Sequence, residues 1–260
     1  MPSALRLQKG YPRPSRNHHI KGMDLGPSSD NLILPDRCLA VFVDDTGHEA
    51  LVRGHPVYGL GGCAVLGRDL VRLIWQPWKA IRMRVTGSPD TPLHASQFGR
   101  IANKSDMEAV SAFFRSRAFA RFGAIISTET KLADELSLMQ TMKAILLERI
   151  NQIMLATLCR EVKVIFESSQ RADPIIREVF QDFELRRGWK IIPSDCYFMP
   201  KVAAEPALEV ADFVVHTVGR QARQNLKNRG VFLPDFKAVF HDVHPNLVSF
   251  MEVASVTRTD

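Results

Sequence analysis

The chain has 260 residues and a formal net charge of +6, with 45% hydrophobic and 24% charged residues. This composition is typical of a globular protein and excludes a wholly disordered or fibrous chain. No apolar run is long enough for a membrane-spanning helix, and the first residues lack the apolar segment of a signal peptide, so we expect a cytoplasmic protein without membrane contacts. The positive charge favours an anionic partner such as nucleic acid, although Lys and Arg clusters usually form solvated helix faces.

The N-terminal 36 residues contain five Pro, three Gly and four Ser, with no sustained apolar period. This composition predicts a flexible N-terminal arm over residues 1–36. The ordered domain is predicted over residues 37–227. Residues 228–260 are predicted to form a C-terminal extension packed on or near the domain.

Apolar periodicity predicts strands that alternate with helices. Residues 38–43 form an unbroken apolar run, which is typical of a strand buried on both faces. Residues 57–66 form a glycine-rich second strand, which we expect to pair with the first as an antiparallel hairpin. Further strands are predicted at 122–127, 163–166 and 189–192, and helices at 68–84, 105–118, 134–159, 174–186 and 206–223. The late alternation indicates parallel pairing, so we predict an α/β fold with a mixed sheet and helices on both faces.

The four cysteines carry little functional information. They lie far apart and include no C-x-x-C pair, which excludes a zinc ribbon or a thioredoxin motif. We expect free thiols in a reducing compartment.

Two predicted buried strands end in acidic residues. Asp44 follows the first strand, and Glu167 follows the strand at 163–166. Ligands of open α/β sheets gather beyond the carboxyl ends of parallel strands, so these carboxylates are candidate metal ligands. Alternatively, they are acids in ordinary surface turns.

The predicted helix from Pro206 carries four ionisable residues on one stripe, namely Glu205, Glu209, Asp212 and His216. The rest of this helix is strongly apolar, so the stripe faces solvent or is buried. Buried acids are costly unless they pair or bind a cation, so burial would require a metal or a row of Lys or Arg partners. Hard divalent cations such as Mg²⁺ take carboxylate oxygens and bridge to phosphate.

Four segments together resemble one known family. FVDDTG (42–47) is similar to the F-x-D-E-S-G opening of the domain of unknown function 3800 family, and YGLGGCAV (58–65) resembles its glycine-rich second strand. LHAS (93–96) resembles its short histidine motif, and ALEVADFV (207–214) resembles its closing L-Q-x-A-D helix motif. The resemblance runs from about residue 38 to residue 220.

The resemblance implies a ribonuclease H-like fold and a metal-dependent nuclease site, with acids from the first strand, a later parallel strand and the final helix. Asp44 and Asp212 match by motif, whereas Glu167 matches only by position, where the family more often has Asp. Asp45 and Thr46 replace the family's Glu and Ser. Glu209 replaces a Gln and adds a negative charge near the site.

Together, the pattern and the resemblance lead us to expect an Mg²⁺- or Mn²⁺-dependent nuclease that hydrolyses phosphodiester bonds of RNA or DNA. The expected metal ligands are Asp44, Glu167 and Asp212. Asp45 or Glu209 is expected as a further ligand or as a group that contacts a ligand.

Two more residues complete the predicted site. His94 is expected to position or protonate the leaving group, although a satisfied loop histidine fits the sequence equally well. Lys201 is expected to contact a phosphate. Two alternative functions remain open, namely a non-catalytic nucleic-acid-binding or partner-binding module and a metal-dependent hydrolase of a smaller phosphate ester.

Overall fold

The computed structural model describes residues 18–20, 32–47, 57–116, 118–127, 135–168, 173–228, 230–240 and 247–252. Its strands are β1 (His18–Ile20), β2 (Leu32–Leu34), β3 (Cys38–Gly47), β4 (Val57–Leu66), β5 (Ala120–Ser127), β6 (Glu161–Glu167), β7 (Leu185–Arg187), β8 (Lys190–Ile192), β9 (Ser194–Met199) and β10 (Val248–Glu252). Its helices are α1 (Gly67–Leu70), α2 (Gln76–Thr86), α3 (Ala95–Ile101), α4 (Lys104–Ser116), α5 (Glu135–Leu155), α6 (Asp173–Phe180), α7 (Pro206–Lys227) and α8 (Pro234–Phe240). A π-helical turn (Val71–Trp75) joins α1 to α2, and a 3-10 turn (Lys201–Ala203) follows β9.

A six-stranded mixed sheet forms the centre of the fold, in the order β10-β5-β4-β3-β6-β9. Strands β3, β4 and β5 pair antiparallel in sequence order. Strand β6 pairs parallel to β3, and β9 pairs parallel to β6. The prediction of an α/β fold with early antiparallel and later parallel strands in one sheet is therefore confirmed.

Helices cover both faces of this sheet. Val41 and Val43 of β3 pack in a core with α5 and α6, whereas Ala40 and Phe42 pack in a second core with α2, α4 and α7. Alternate side chains of a strand point to opposite faces, so β3 supplies both cores at once. This double burial explains why β3 is apolar without alternation.

The segment between α6 and α7 differs from the prediction. The helix predicted to reach residue 186 ends at Phe180, and the strand predicted at 189–192 lies outside the central sheet. Strands β7 and β8 form a separate hairpin around Gly188, which adopts a φ of 62°. Strand β9, which the sequence pattern did not predict, pairs parallel to β6 in the central sheet. Its position at the sheet edge permits polar residues such as Asp195, which hide the strand from a search for apolar runs.

The packed domain begins before residue 37, within the predicted arm. Leu32 and Leu34 of β2 are fully buried in the core that contains α7. The Nζ of Lys163 donates to the carbonyl oxygen of Ile33 at 2.9 Å. The structure therefore places residues 32–36 in the domain, while most of the predicted arm, residues 1–17 and 21–31, lies outside the described residues.

The C-terminal segment contributes one helix and one strand. Phe236 of α8 is buried with Val57, Ile125 and Val218. Strand β10 extends the central sheet by pairing parallel to β5. Residues 241–246 and 253–260 of the predicted C-terminal extension lie outside the described residues.

Candidate functional site

Two acids leave neighbouring parallel strands on the same face of the sheet. The register pairs Val43 of β3 with Phe166 of β6, so Asp44 and Glu167 are the next residues of the two strands. Alternation places both side chains on the face of Phe42 and Ile165, which pack in the core with α7. The first two predicted ligands therefore lie side by side at the carboxyl edge of the sheet.

The third acid comes from α7, which crosses this face at close range. A Cβ on Gly62 of β4 would lie 1.9 Å from the carbonyl oxygen of Phe42 and 2.9 Å from the Cβ of Ala211. Only glycine permits this approach, which explains the glycine-rich sequence of β4. Asp212 follows Ala211 on the helix and lies close enough to Glu167 for the charge of Glu167 to raise the pKa of Asp212.

Asp212 is held by the loop that carries His94. The backbone N–H of Ala95 donates to Oδ2 of Asp212 at 2.9 Å. The Nδ1 atom of His94 lies 4.0 Å from the same oxygen, and its side chain is 41% exposed. His94 therefore lies beside Asp212 with much of its side chain open to solvent.

Burial and mutual repulsion raise the pKa values of these acids. Burial, then the charges of Glu167, Asp212 and Asp45, raise the pKa of Asp44 well above its usual range, against a hydrogen bond from the Asp45 N–H. Burial is also the main cause that raises the pKa of Asp212 to about 6; Glu167 adds to it, and the Ala95 N–H opposes it. A group of acids with raised pKa values is stabilised by any cation that enters it.

Lys201 supplies one such cation. It begins the 3-10 turn that follows β9, and its Nζ lies 2.8 Å from Oε2 of Glu167. Partial burial acts to lower the pKa of Lys201, but the contact with Glu167 and the charges of Asp44 and Asp212 outweigh it and raise that pKa. We call Asp44, Glu167, Asp212 and Lys201 the carboxylate cluster.

The carboxylate cluster does not have the spacing of a formed metal site. Among the residues that the structure describes, no three His, Cys, Asp or Glu side chains are arranged to hold a metal ion. The donor chemistry nevertheless suits a hard cation, because the carboxylates are oxygen ligands with unfavourable mutual repulsion. The Lys201 ammonium neutralises part of that charge in this arrangement.

Glu209, predicted as a further ligand, lies outside the carboxylate cluster. Its Oε1 accepts from Arg82 at 2.6 Å, and its Oε2 accepts from Arg82, from the Trp78 indole and from the Leu93 N–H. Glu209 and Arg82 are both buried. Because these protein donors occupy both oxygens, Glu209 is not placed to act as a metal ligand, contrary to the prediction.

Asp45 also lies away from the other acids. It follows Asp44 in β3, so its side chain leaves the opposite face of the sheet. Thr46, two residues beyond Asp44, lies against Gly219 of α7. Asp44 therefore points to the face of the sheet that α7 covers, as Thr46 does. Asp45 therefore acts on Asp44 through its charge rather than as a ligand on the same face.

The acidic stripe of α7 divides among three environments. Glu205 caps the helix by accepting from the Ala207 N–H, and it also accepts from the Trp75 indole. Burial raises the pKa of Glu205 to about 7. Asp212 belongs to the carboxylate cluster. His216 lines a groove between α3, α4, α7 and α8. The sequence left open a row of basic partners for these acids. In the fold, Arg82 and Trp78 donate to Glu209, and Trp75 donates to Glu205.

Burial disfavours the thiolate form of Cys38, Cys63 and Cys196 by raising their pKa values. All four are free thiols, and Cys38, Cys63 and Cys159 are buried. Burial raises the pKa of Cys38 to about 12, which disfavours the reactive thiolate.

Comparisons with known proteins assign no family. No protein-family model matches the chain, and no match is found among curated proteins or among solved structures. Within the described part of the chain, no helix is long and apolar enough to cross a membrane. The functional assignment therefore rests on the carboxylate cluster itself.

Proposed function

We propose that the chain is a divalent-metal-dependent nuclease with a ribonuclease H-like fold, which hydrolyses phosphodiester bonds of RNA or DNA. The observation that carries the proposal is the placement of Asp44, Glu167 and Asp212 at one edge of the sheet, on the face that α7 crosses. Ligands of open α/β sheets bind beyond the carboxyl ends of the parallel strands, which is where these acids lie.

The strand order supports the fold assignment. A meander of three antiparallel strands, β3 to β5, is followed by two parallel strands, β6 and β9. The resemblance to the domain of unknown function 3800 family implies acids from the first strand, a later parallel strand and the final helix. Here β3, β6 and α7 carry them.

The residues fit Mg²⁺ or Mn²⁺ as the cofactor. Asp44, Glu167 and Asp212 would hold the ion, which when bound activates water and stabilises the leaving oxygen of a phosphodiester. Lys201 is 61% exposed, so its ammonium is free to leave Glu167 and contact a substrate phosphate. His94 sits beside Asp212 at the surface, where it can protonate the leaving group.

Cleavage assays test this proposal. Labelled single-stranded and duplex RNA and DNA are incubated with Mg²⁺, with Mn²⁺ and with EDTA, using the native chain and the variants Asp44→Asn and Asp212→Asn. We expect metal-dependent cleavage that both variants abolish. The control is Asp90→Asn, because Asp90 is exposed and, among the described residues, forms an ion pair only with Lys79. Full metal-dependent cleavage by Asp44→Asn would overturn the assignment.

A non-catalytic nucleic-acid-binding module is the second candidate. It is favoured by the contact of Lys201 with Glu167 and by the lack of a three-ligand arrangement among the described residues. This function predicts binding of oligonucleotides with neither cleavage nor stabilisation by metal. A hydrolase of smaller phosphate esters would instead cleave a mononucleotide ester and show no gain with longer substrates.

A further inference from the structure

A groove opens beside the carboxylate cluster, between α3, α4, α7 and α8. Its volume is about 580 Å³, within the range of roughly 300–1,000 Å³ typical of ligand sites. Its lining is mainly apolar and includes three aromatic side chains, Phe98, Phe114 and Phe213. These three rings are buried and form the floor of the groove rather than an exposed aromatic face. A concave apolar surface of this size is suited to flat, partly apolar ligand groups.

One residue of the groove lining contacts the carboxylate cluster. Ala95 lines the groove, and its N–H donates to Asp212 at 2.9 Å. Along α7, His216 and Arg220 follow Asp212 at intervals of four residues, and both line the groove. From Asp212 to Arg220 the helix rises about 12 Å, the length of about three nucleotides of a stacked strand.

The polar groups of the groove suit a nucleotide chain. Lys104 and Arg115 line it and form no ion pair with any described residue, whereas Arg220 pairs with Asp235 at 2.7 Å. Glu108 is a further acid of the lining. Burial, followed by the charge of Arg220, lowers the pKa of His216, so a neutral imidazole offers one donor and one acceptor.

We propose that this groove binds the unpaired bases of a single-stranded nucleic acid whose scissile phosphate lies at the carboxylate cluster; the inference rests on the proposed function. The apolar faces of unpaired bases can pack on the apolar lining without a sequence requirement. Lys104 and Arg115 beside the groove can contact the backbone phosphates. Duplex bases are stacked and paired, so they cannot enter a pocket without being flipped out. The chain should therefore select single strands over duplexes.

Filling the groove tests the inference directly. Gly99 lines the groove, and a Cβ on it meets no atom within 4 Å, so Gly99→Phe adds bulk there without a backbone clash. The matched control is Ala112→Phe, at an exposed position of α4 outside the groove. Fluorescence anisotropy with labelled dT8, U8 and a blunt duplex, in EDTA, measures binding without cleavage, and thermal unfolding checks that each variant folds.

We expect Gly99→Phe to weaken binding of dT8 and U8 by about tenfold or more, as for loss of base stacking. Ala112→Phe should leave it unchanged. Lys104→Gln should reduce the slope of log affinity against log salt by about 0.7. Unchanged oligonucleotide binding by a folded Gly99→Phe variant, or equal affinity of the native chain for the duplex, would overturn the inference.

The failure of this inference differs from failure of the proposed function. If Gly99→Phe binds normally while Asp44→Asn abolishes cleavage, the groove assignment is wrong and the nuclease assignment stands. If Gly99→Phe loses binding and no substrate is cleaved in any metal, the groove assignment stands and the nuclease assignment is wrong.

Discussion

Lys201 and Glu167 form an ion pair in which Nζ lies 2.8 Å from Oε2, at the edge of the sheet where Asp44 and Asp212 also lie. The pair brings a cation from the end of β9 to the acid that ends β6. Neighbouring parallel strands thus supply opposite charges to one place. In this arrangement the lysine ammonium neutralises part of the charge of the neighbouring acids.

Replacing Lys201 with Gln should therefore destabilise the metal-free protein, because the remaining acids repel one another without compensation. Added Mn²⁺ should raise the melting temperature of Lys201→Gln by more than it raises that of the native chain. Thermal unfolding with EDTA and with excess Mn²⁺ measures both effects. Lys79→Gln is the control, since the exposed Asp90 is its only ion-pair partner in the described part of the chain. An equal response of the two variants to Mn²⁺ would contradict this role.

Asp44→Asn should have the opposite effect on the metal-free protein. It removes one of the repelling charges and keeps the shape of the side chain, so the free energy of unfolding should stay the same or rise. The stabilisation by Mn²⁺ or Mg²⁺, about 2.7 kcal/mol at one hundred times the dissociation constant, should be lost. Chemical denaturation with and without metal measures both quantities. Retained metal stabilisation in Asp44→Asn would show that the ion binds elsewhere.

Arg82→Met should unfold the protein far more readily. Arg82 is 2% exposed and makes two hydrogen bonds with Glu209, which would be left as a buried uncompensated charge. Breaking such a pair costs about 3–5 kcal/mol, whereas Arg72→Met at an exposed pair should change stability by about 0.5 kcal/mol or less. Urea unfolding measures the difference. The double variant Arg82→Met/Glu209→Gln should recover part of the loss, and no recovery would indicate that Arg82 acts only through packing.

Glu205 should make stability depend on pH. Burial raises its pKa from 4.5 to about 7, so the folded state holds its proton more tightly than the unfolded state. The contribution is complete below about pH 4.5 and is lost as pH rises through about 7. We expect a loss of roughly 1–3 kcal/mol over this window that is absent in Glu205→Gln, because Gln keeps the acceptor without the titration. Urea unfolding across this pH range measures it, and parallel curves for the two proteins would contradict it.

Leu34→Ala should destabilise the fold by about 2–5 kcal/mol, because it leaves a cavity in the core. Leu34 is completely buried, whereas its neighbour Ile33 is 38% exposed and serves as the control. Thermal and urea unfolding of Leu34→Ala and Ile33→Ala measure the contrast. Equal small losses of stability in the two variants would show that residues 32–36 belong to the flexible arm that the composition predicts.

The sequence by itself determined the α/β class and the acids of the cluster. An unbroken apolar run predicts β3 because both of its faces are buried, and acids after such runs mark strand ends. These are local patterns, which the chain carries whatever its tertiary contacts. The same patterns predict α7 and place Asp212 on its stripe.

Only the tertiary structure decided how each charged group is used. Glu209 and Asp212 lie three residues apart on one stripe of α7. Arg82 neutralises Glu209, whereas Asp212 lies in the carboxylate cluster. Lys201 reaches Glu167 because β9 lies beside β6, and Leu34 is buried because α7 and its neighbours form a core around it. Periodicity gives the face of an element but not its neighbour, since the neighbour is set by contacts between residues distant in the chain.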